Sequence, residues 1–268
     1  MNKEDLVSVI MPTYNAGKYL ADSINSILNQ SYKNLELLIT DDASTDPTTL
    51  QLLQEFASKD NRVDILYLKE NHGAGYARNQ SIERAKGRYI AFCDSDDRWT
   101  TDKLEKQIAF MNKKKCALSC ASYIIFDGET QNEIGFCTAP KKITYGMMKR
   151  DNKVGCLTAI YDVQMLGRKF FMPTIRKRQD WALFLQIIRE CKVCYAYPDK
   201  PLAYYCMRRN SISSNKMSLM KYNIAVYKEI LGFHPIKANL YFFTLFLPTY
   251  GAKIMKRKFD SYTFTHKK

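Results

Sequence analysis

Three carboxylates in four residues, Asp94, Asp96 and Asp97, close the run Gly87–Trp99 (GRYIAFCDSDDRW). Like charges so crowded raise each other's pKa. A divalent cation relieves that repulsion, and hard cations such as Mg2+ and Mn2+ favour carboxylate oxygens together with substrate phosphates. The residues just before them, Arg88 to Cys93, are apolar, aromatic and β-branched, as in a short buried strand. Ligands of open α/β sheets bind beyond the carboxyl ends of strands. Position and chemistry therefore agree on a metal and phosphate site. The alternative is a solvated acidic turn capping the helix that begins near Thr100. A second candidate is Arg178-Gln179-Asp180-Trp181, opening a helix with Leu183, Phe184, Ile187 and Ile188 on one face. By itself, an acid there is what the helix dipole favours.

The elements that must hold these residues follow from periodicity. Val7 to Met11 is a continuous apolar run closed by Pro12, which reads as a parallel core strand. Thr13-Tyr14-Asn15-Ala16-Gly17 makes a polar loop, and Leu20, Ile24, Ile27 and Leu28 then recur at helical spacing. Leu35 to Ile39 predicts a second strand ending on Asp41-Asp42. Ser44-Thr45-Asp46-Pro47 offers a capping residue and a first-turn proline, before a helix facing inward through Leu50, Leu53 and Phe56. Val63 to Leu68 predicts the third strand. The glycine-bearing turn Asn71 to Asn79 leads into a helix through Ala85, and Tyr89 to Cys93 is the fourth strand.

Four strand–helix units with short loops imply right-handed crossovers and a doubly wound parallel sheet. Each polar cluster (Thr13-Tyr14, Asp41-Asp42, Asn71 to Asn79, Asp94 to Asp97) then follows a strand's carboxyl end, where a nucleotide crevice belongs. That coincidence favours a site over an acidic turn. No G-x-G-x-x-G follows the first strand and no P-loop occurs, so the nucleotide is held in another way. Further on, 101–112 predicts a helix. The runs 117–126 and 133–137, joined through Asp127-Gly128, predict an antiparallel hairpin or sheet extension, and 154–161 another strand. Segments 138–153 and 162–177 read as loop-rich.

Composition bounds the rest. The 268 residues suffice for one α/β domain, or one domain with a small appendage. A hydrophobic fraction of 46% argues against disorder. The N-terminus lacks the basic-then-apolar pattern of a signal peptide, so a cytoplasmic location is expected. Eight cysteines fit that compartment as free thiols. Cys191-x-x-Cys194 invites a zinc reading, but Cys116 and Cys120 have another spacing in a strand-like run, which disfavours it. Of the net charge of +14, residues 201–268 carry +10, from twelve Lys/Arg against Glu229 and Asp260. An anionic partner for the C-terminus follows: membrane headgroups or a phosphorylated glycan, with no nucleic acid expected.

Val7-Ser8-Val9-Ile10-Met11-Pro12-Thr13-Tyr14-Asn15, Asp41-Asp42-Ala43-Ser44-Thr45-Asp46, Gly75-Tyr76-Ala77-Arg78-Asn79 and Tyr89 to Asp97 resemble, in order and spacing, the successive motifs of family 2 glycosyltransferases. The resemblance is dense over about the first 100 residues and looser to about residue 215. It implies a GT-A fold: a doubly wound, mostly parallel sheet with a smaller antiparallel acceptor-side portion and a C-terminal helical tail. A catalytic domain over 1–215 would divide into a nucleotide-sugar half (1–98) and an acceptor-side half (99–215), with 216–268 as a basic, aromatic tail. It also implies roles. Asp42 would accept the uracil N3–H, with Pro12, Thr13 and Tyr14 holding the base; Tyr14 either stacks on it or fills the loop. Arg78 would face the nucleotide's anionic groups, or else make a surface ion pair. Asp94 would lie near the ribose and the metal's water shell, and Asp96 would ligate Mn2+ or Mg2+ bridging the diphosphate.

Arg178 to Trp181 resembles the family's Glu-Asp-Trp motif, whose second acid is the catalytic base. Gln179 replaces the first acid, and Asp180 matches the base. Tyr204 to Ser213 resembles the segment after the base, with Cys206 in place of the usual Arg and Arg208 in place of the usual His. Arg208 is then the substitute for diphosphate contacts, or part of a solvated basic loop. The implied enzyme is an inverting, metal-dependent glycosyltransferase. It would move a sugar from a UDP-sugar to a growing, lipid-linked bacterial surface glycan of lipopolysaccharide, capsule or teichuronic type. The alternatives are a nucleotidyltransferase, which lacks its triphosphate loop here, and a non-catalytic nucleotide-sugar or glycan-binding assembly partner. In the tail, Met217, Met220, Ile224, Tyr227 and Ile230-Leu231 predict one apolar helix face. The run Asn239 to Pro248 is too short to span a bilayer. With Lys253 to Lys258 behind it, it reads either as an interfacial helix peripheral to the inner membrane face or as a helix packed on the catalytic domain.

Overall fold

The computed structural model describes residues 5–208 and 216–266, without the side chains of 216–219. Arg209 to Ser213 and the side chain of Met217 lie outside it. Strands β1 (Val7–Thr13), β2 (Leu35–Asp41), β3 (Val63–Tyr67) and β4 (Tyr89–Phe92) alternate with helices α1 (Leu20–Leu28), α2 (Pro47–Lys59) and α3 (Ala74–Arg84). β5 (Arg98–Trp99), α4 (Lys103–Lys114), β6 (Leu118–Ala121), β7 (Tyr123–Asp127), β8 (Glu133–Cys137), β9 (Lys142–Thr144) and α5 (Tyr145–Arg150) follow. β10 (Ile160–Asp162), α6 (Val163–Leu166), α7 (Gln179–Cys191), β11 (Val193–Tyr197) and β12 (Ala203–Met207) complete the mixed part. The tail adds α8 (Lys216–Ala225), α9 (Pro235–Tyr241) and α10 (Leu247–His266).

The larger sheet runs β3-β2-β1-β4-β10-β6-β11-β9. β1 to β4 are mutually parallel, and β10 enters antiparallel between β4 and β6. Both faces are covered, which is why these strands read as near-continuous apolar runs. Along β1 the side chains alternate: Val7, Val9 and Met11 join α1 and α4 in one core, while Ile10 joins Phe92, Tyr161 and α7 in the other. α2 starts as its sequence dictates, with the Asp46 carboxylate accepting from Thr49 N at 2.9 Å and Pro47 in the first turn.

Two predicted strands come out differently. The run 117–126 is divided at Ser122, with β6 in the larger sheet and β7 in a second sheet ordered β5-β12-β7-β8. Ser122 is held at the break: its carbonyl accepts from Leu202 N at 3.1 Å and its hydroxyl from Ala139 N at 3.0 Å. β7 and β8 form the expected hairpin, with an irregularity at Ile125/Phe126. Of 154–161, only the end is strand. Leu157 O accepts from the Trp99 indole at 2.8 Å and Thr158 O from the Gln107 amide at 2.8 Å. Side chains take the carbonyls a strand ladder would have used, and 156–158 coils into a 3-10 turn.

The tail joins the same core as the sheet. Val226, Tyr227, Ala238, Phe242 and Phe246 are buried in the cluster that contains Trp181 and Phe184 of α7. Tyr227 meets the Trp181 ring edge-on at 5.7 Å, and Phe246 lies at 5.6 Å from it.

Candidate active site

All four polar clusters emerge at the carboxyl ends of the parallel strands and are tied together there. Asn15 Oδ1 accepts from Thr45 N and Asp46 N at 2.8 and 2.9 Å, joining the turn after β1 to that after β2. Asp42 joins the second turn to the third, its two oxygens accepting from His72 N at 2.8 Å and Gly73 N at 2.7 Å. A base N–H would share one of those oxygens. Ala43 beside it has φ 64°, a left-handed conformation costly for alanine and typical of functional turns. Pro12 is buried in β1. Thr13 is buried as well, and its Oγ1 has no hydrogen-bond partner among the described residues. Tyr14, 51% exposed, stands out from the loop as a stacking platform would.

Arg78 projects from α3 into the protein and pairs with Asp94, which follows β4. It is not the surface ion pair weighed from sequence. Burial alone would lower its pKa, but the Asp94 charge, and more weakly Asp180, raise it, so the cation persists. Its Nε is buried with no hydrogen-bond partner among the described residues. Burial, and then the Asp94 charge, push the Asp96 carboxyl up from its ordinary value; Arg208 opposes this through an ion pair at 2.5 Å. The Arg208 guanidinium lies 5.4 Å from the Tyr19 ring centroid. Asp97 turns inward, accepting from Cys206 N at 2.9 Å, and burial with its acidic neighbours pushes it well up.

This donor set suits a divalent cation that also binds a diphosphate. Crowded, desolvated carboxylates are present, yet no three His, Cys, Asp or Glu side chains among the described residues form a metal cage. Mg2+ and its relatives need only one or two carboxylates where substrate phosphates and water complete the shell.

Asp180 lies in the first turn of α7 and its Oδ2 accepts from the Asn152 amide at 2.9 Å. Arg178, just before the helix, has φ 68° and donates from Nε to Asn223 of α8 at 2.8 Å. Trp181 is buried and donates to Met148 O at 2.7 Å, locking α7 onto α5. Gln179 covers Gly75: a Cβ at residue 75 would lie 2.3 Å from Gln179 Nε2, so a larger residue there would turn the end of the Gln179 side chain aside. Burial, and then the charges of Asp94, Asp180 and Asp97, push the Cys156 thiol well up, while Arg78 opposes them. One thiol thus senses acids from both halves.

A family model described as glycosyl transferase family 2 matches residues 8–171. The chain belongs to this glycosyltransferase family. The enzyme is 42% identical to TuaG of Bacillus subtilis, named for teichuronic acid biosynthesis, over 89% of this chain and 93% of that one. It is 38% identical to WfgD of Escherichia coli over 81% and 83%; WfgD is named a UDP-Glc:alpha-D-GlcNAc-diphosphoundecaprenol beta-1,3-glucosyltransferase. Among solved structures, S. aureus TarS with UDP-GlcNAc superposes with a TM-score of 0.67 at 22% identity, covering 88% of this chain and 70% of that one. Mannosyltransferase PcManGT of Pyrobaculum calidifontis gives 0.62 at 16% identity, covering 95% and 75%. The glycosyltransferase therefore has the GT-A fold its motifs imply.

Several residues around the crevice carry no signal of their own in the sequence. Asn152 lies in a segment without periodicity, and only the fold brings it to Asp180. Asn79 does stand in a motif: its amide exchanges hydrogen bonds with the backbone of Met172 at 2.7 and 2.9 Å, pinning the segment between α6 and α7. Lys253 reads as part of a surface basic cluster, but its Nζ donates to Asn152 O at 2.6 Å and pairs with buried Asp151 at 3.1 Å. Cys120 and Cys194 approach to 3.8 Å on neighbouring strands, and Cys116 and Cys191 line a separate cavity of about 370 Å³. The cysteines are free.

Proposed function

We propose that this glycosyltransferase is an inverting, metal-dependent enzyme that transfers a sugar from a UDP-sugar to a lipid-diphosphate-linked glycan of the bacterial cell surface. It would work in the cytoplasm, peripheral to the inner membrane face. The reading rests above all on one observation: Arg78 of α3 is buried against Asp94 on the nucleotide side, and one turn earlier Gly75 of the same helix lies under Gln179, the residue beside Asp180. A donor-side acid and a proton acceptor thus adjoin one helix. The specified donor and acceptor of WfgD, and the β linkage in its name, support the substrate classes and the inversion.

In this reading, Tyr14 stacks on the uracil, Thr13 Oγ1 and Asp42 offer hydrogen-bond partners, and Arg78 holds Asp94 toward the ribose. Asp180 accepts the proton of the acceptor hydroxyl as that oxygen attacks the anomeric carbon from the face opposite the diphosphate. The new C–O bond forms as the bond to the diphosphate oxygen breaks, and the electron pair leaves with UDP. Asp96, with Asp94 nearby, would hold Mn2+ or Mg2+, whose positive charge stabilises the departing diphosphate. Arg208 is released from Asp96 to contact the diphosphate. Residues 1–215 would serve as the catalytic domain and 216–268 as its basic, aromatic tail.

The test is calorimetry combined with counting of UDP released from UDP-glucose in the presence of a synthetic GlcNAc-diphospho-lipid. UDP should bind more tightly with Mn2+ or Mg2+. Asp96→Ala should abolish that dependence, while Asp42→Ala weakens UDP binding with or without metal. Equal UDP affinity with and without cation in the unmutated enzyme would remove the metal from this reading.

A further inference from the structure

From Pro235 to His266 the chain is helical throughout, passing through a π turn at Phe242–Phe246. At 1.5 Å per residue this is a rod of about 48 Å. One side is spoken for: Ala238, Phe242 and Phe246 enter the core, Lys253 grips Asp151 and Asn152, and Ser261 donates to Phe136 O of β8. The opposite side carries Ile236, Leu240, Phe243, Leu247, Met255, Phe259 and Tyr262, between 38% and 74% exposed. They recur every three or four residues, or eight across Gly251. A regular α-helix keeping that spacing would let the stripe drift round the rod. The wider π turn absorbs part of an extra residue, which keeps both stripes in register.

We propose that this outer stripe lays the enzyme flat on an anionic bilayer. Large apolar side chains are otherwise hard to explain in water along eight turns of helix. Exposed Lys237, Lys256, Arg257 and Lys258 accompany the stripe, and the rod's single acid, Asp260, accepts from Thr138 at 2.7 Å. A second copy would set one basic stripe against another, whereas anionic headgroups complement it. No helix among the described residues is long and apolar enough to cross a membrane, so this rod lies on the surface. Its inner side holds the loop bearing Asn152, the donor to Asp180. A docked rod thus sets the crevice beside the bilayer. The purpose assigned to the surface rests on the lipid-linked acceptor proposed above; the surface itself does not.

The experiment is co-sedimentation with vesicles of phosphatidylglycerol mixed with phosphatidylcholine, against phosphatidylcholine alone, at low and high salt. The enzyme should bind the anionic vesicles, and salt should weaken the binding without abolishing it. Leu240→Ser, Phe243→Ser, Met255→Ser and Phe259→Ser together should lower vesicle affinity by on the order of ten-fold or more. Lys237→Gln, Lys256→Gln and Lys258→Gln together should reduce binding at low salt and leave its salt-resistant part. Lys253 is left intact because it bonds the loop. UDP affinity, measured on each variant, should not change; this shows that the fold survives and reports the donor-site reading separately. No binding to anionic vesicles at low salt, or undiminished binding by both variants, overturns the proposal. So does a dimer in light scattering that the apolar variant dissolves, which would make the stripe a self-association face.

Discussion

Asp180 and Arg208 show how far single side chains define this crevice. Asp180 takes an amide hydrogen bond from Asn152, which orients its carboxylate without neutralising it. Asp180→Asn is nearly isosteric and should leave fold and UDP binding intact while transfer falls by about 10²-fold or more, as loss of a positioned base requires. Near-normal UDP release in that variant would dismiss the assignment. Arg208 pairs with Asp96, so a cation arriving without nucleotide must compete with a guanidinium for the same carboxylate. Arg208→Gln should therefore tighten Mn2+ binding in the absence of UDP and weaken UDP binding in its presence, both read by calorimetry. Unchanged Mn2+ affinity would mean that the pair exerts no competition.

At the scale of elements, α7 matters because three other segments hold it. α5 receives the Trp181 indole hydrogen bond, α3 yields the space over Gly75, and the tail closes over Trp181 with Tyr227 and Phe246. The tail is thus part of the wall behind the candidate base. Phe246 is nearly fully buried, so Phe246→Ala should destabilise the protein by about 3–5 kcal/mol, the usual cost of emptying a phenylalanine site. Denaturant unfolding measures this; a loss under about 1 kcal/mol would mean that the tail is only loosely seated.

Across the whole molecule, Lys103 is the costly buried charge. Its Nζ has no hydrogen-bond partner among the described residues and lies 4.0 Å from the centroid of the Trp99 ring. Burial lowers its pKa to about 7, with only Cys93 acting in the opposite sense. The unfolded lysine keeps its proton to about pH 10.4. Between these values the unfolded chain binds more protons, so this residue makes stability rise with pH across that window; below it, the full cost of the buried cation is present. Lys103→Met should raise the melting temperature most at about pH 6 and flatten the rise toward pH 9. An unaltered pH profile would show that the ammonium is satisfied as it stands.

Local rules governed what the sequence alone determined. The alternation of β1 to β4 with α1 to α3 follows from period and turn chemistry, as at Asp46-Pro47. Parallel connection then forces Thr13, Asp42, Arg78 and Asp94 to one edge. Asp180 and Trp181 were legible because a motif carried them. Tertiary structure decided what depends on partners distant in the chain. The run 117–126 reads as one strand, yet Ser122 sends its halves to different sheets because Leu202 and Ala139 claim it. The segment 154–161 lost its strand to the side chains of Trp99 and Gln107. The tail's apolar residues divide between two sides of one rod, one packed in the core and the other exposed. Residue type could not separate Phe242 from Phe243 or Lys253 from Lys256; only docking on Trp181 and Asp151 did, because burial is a property of the assembled surface and not of the residue.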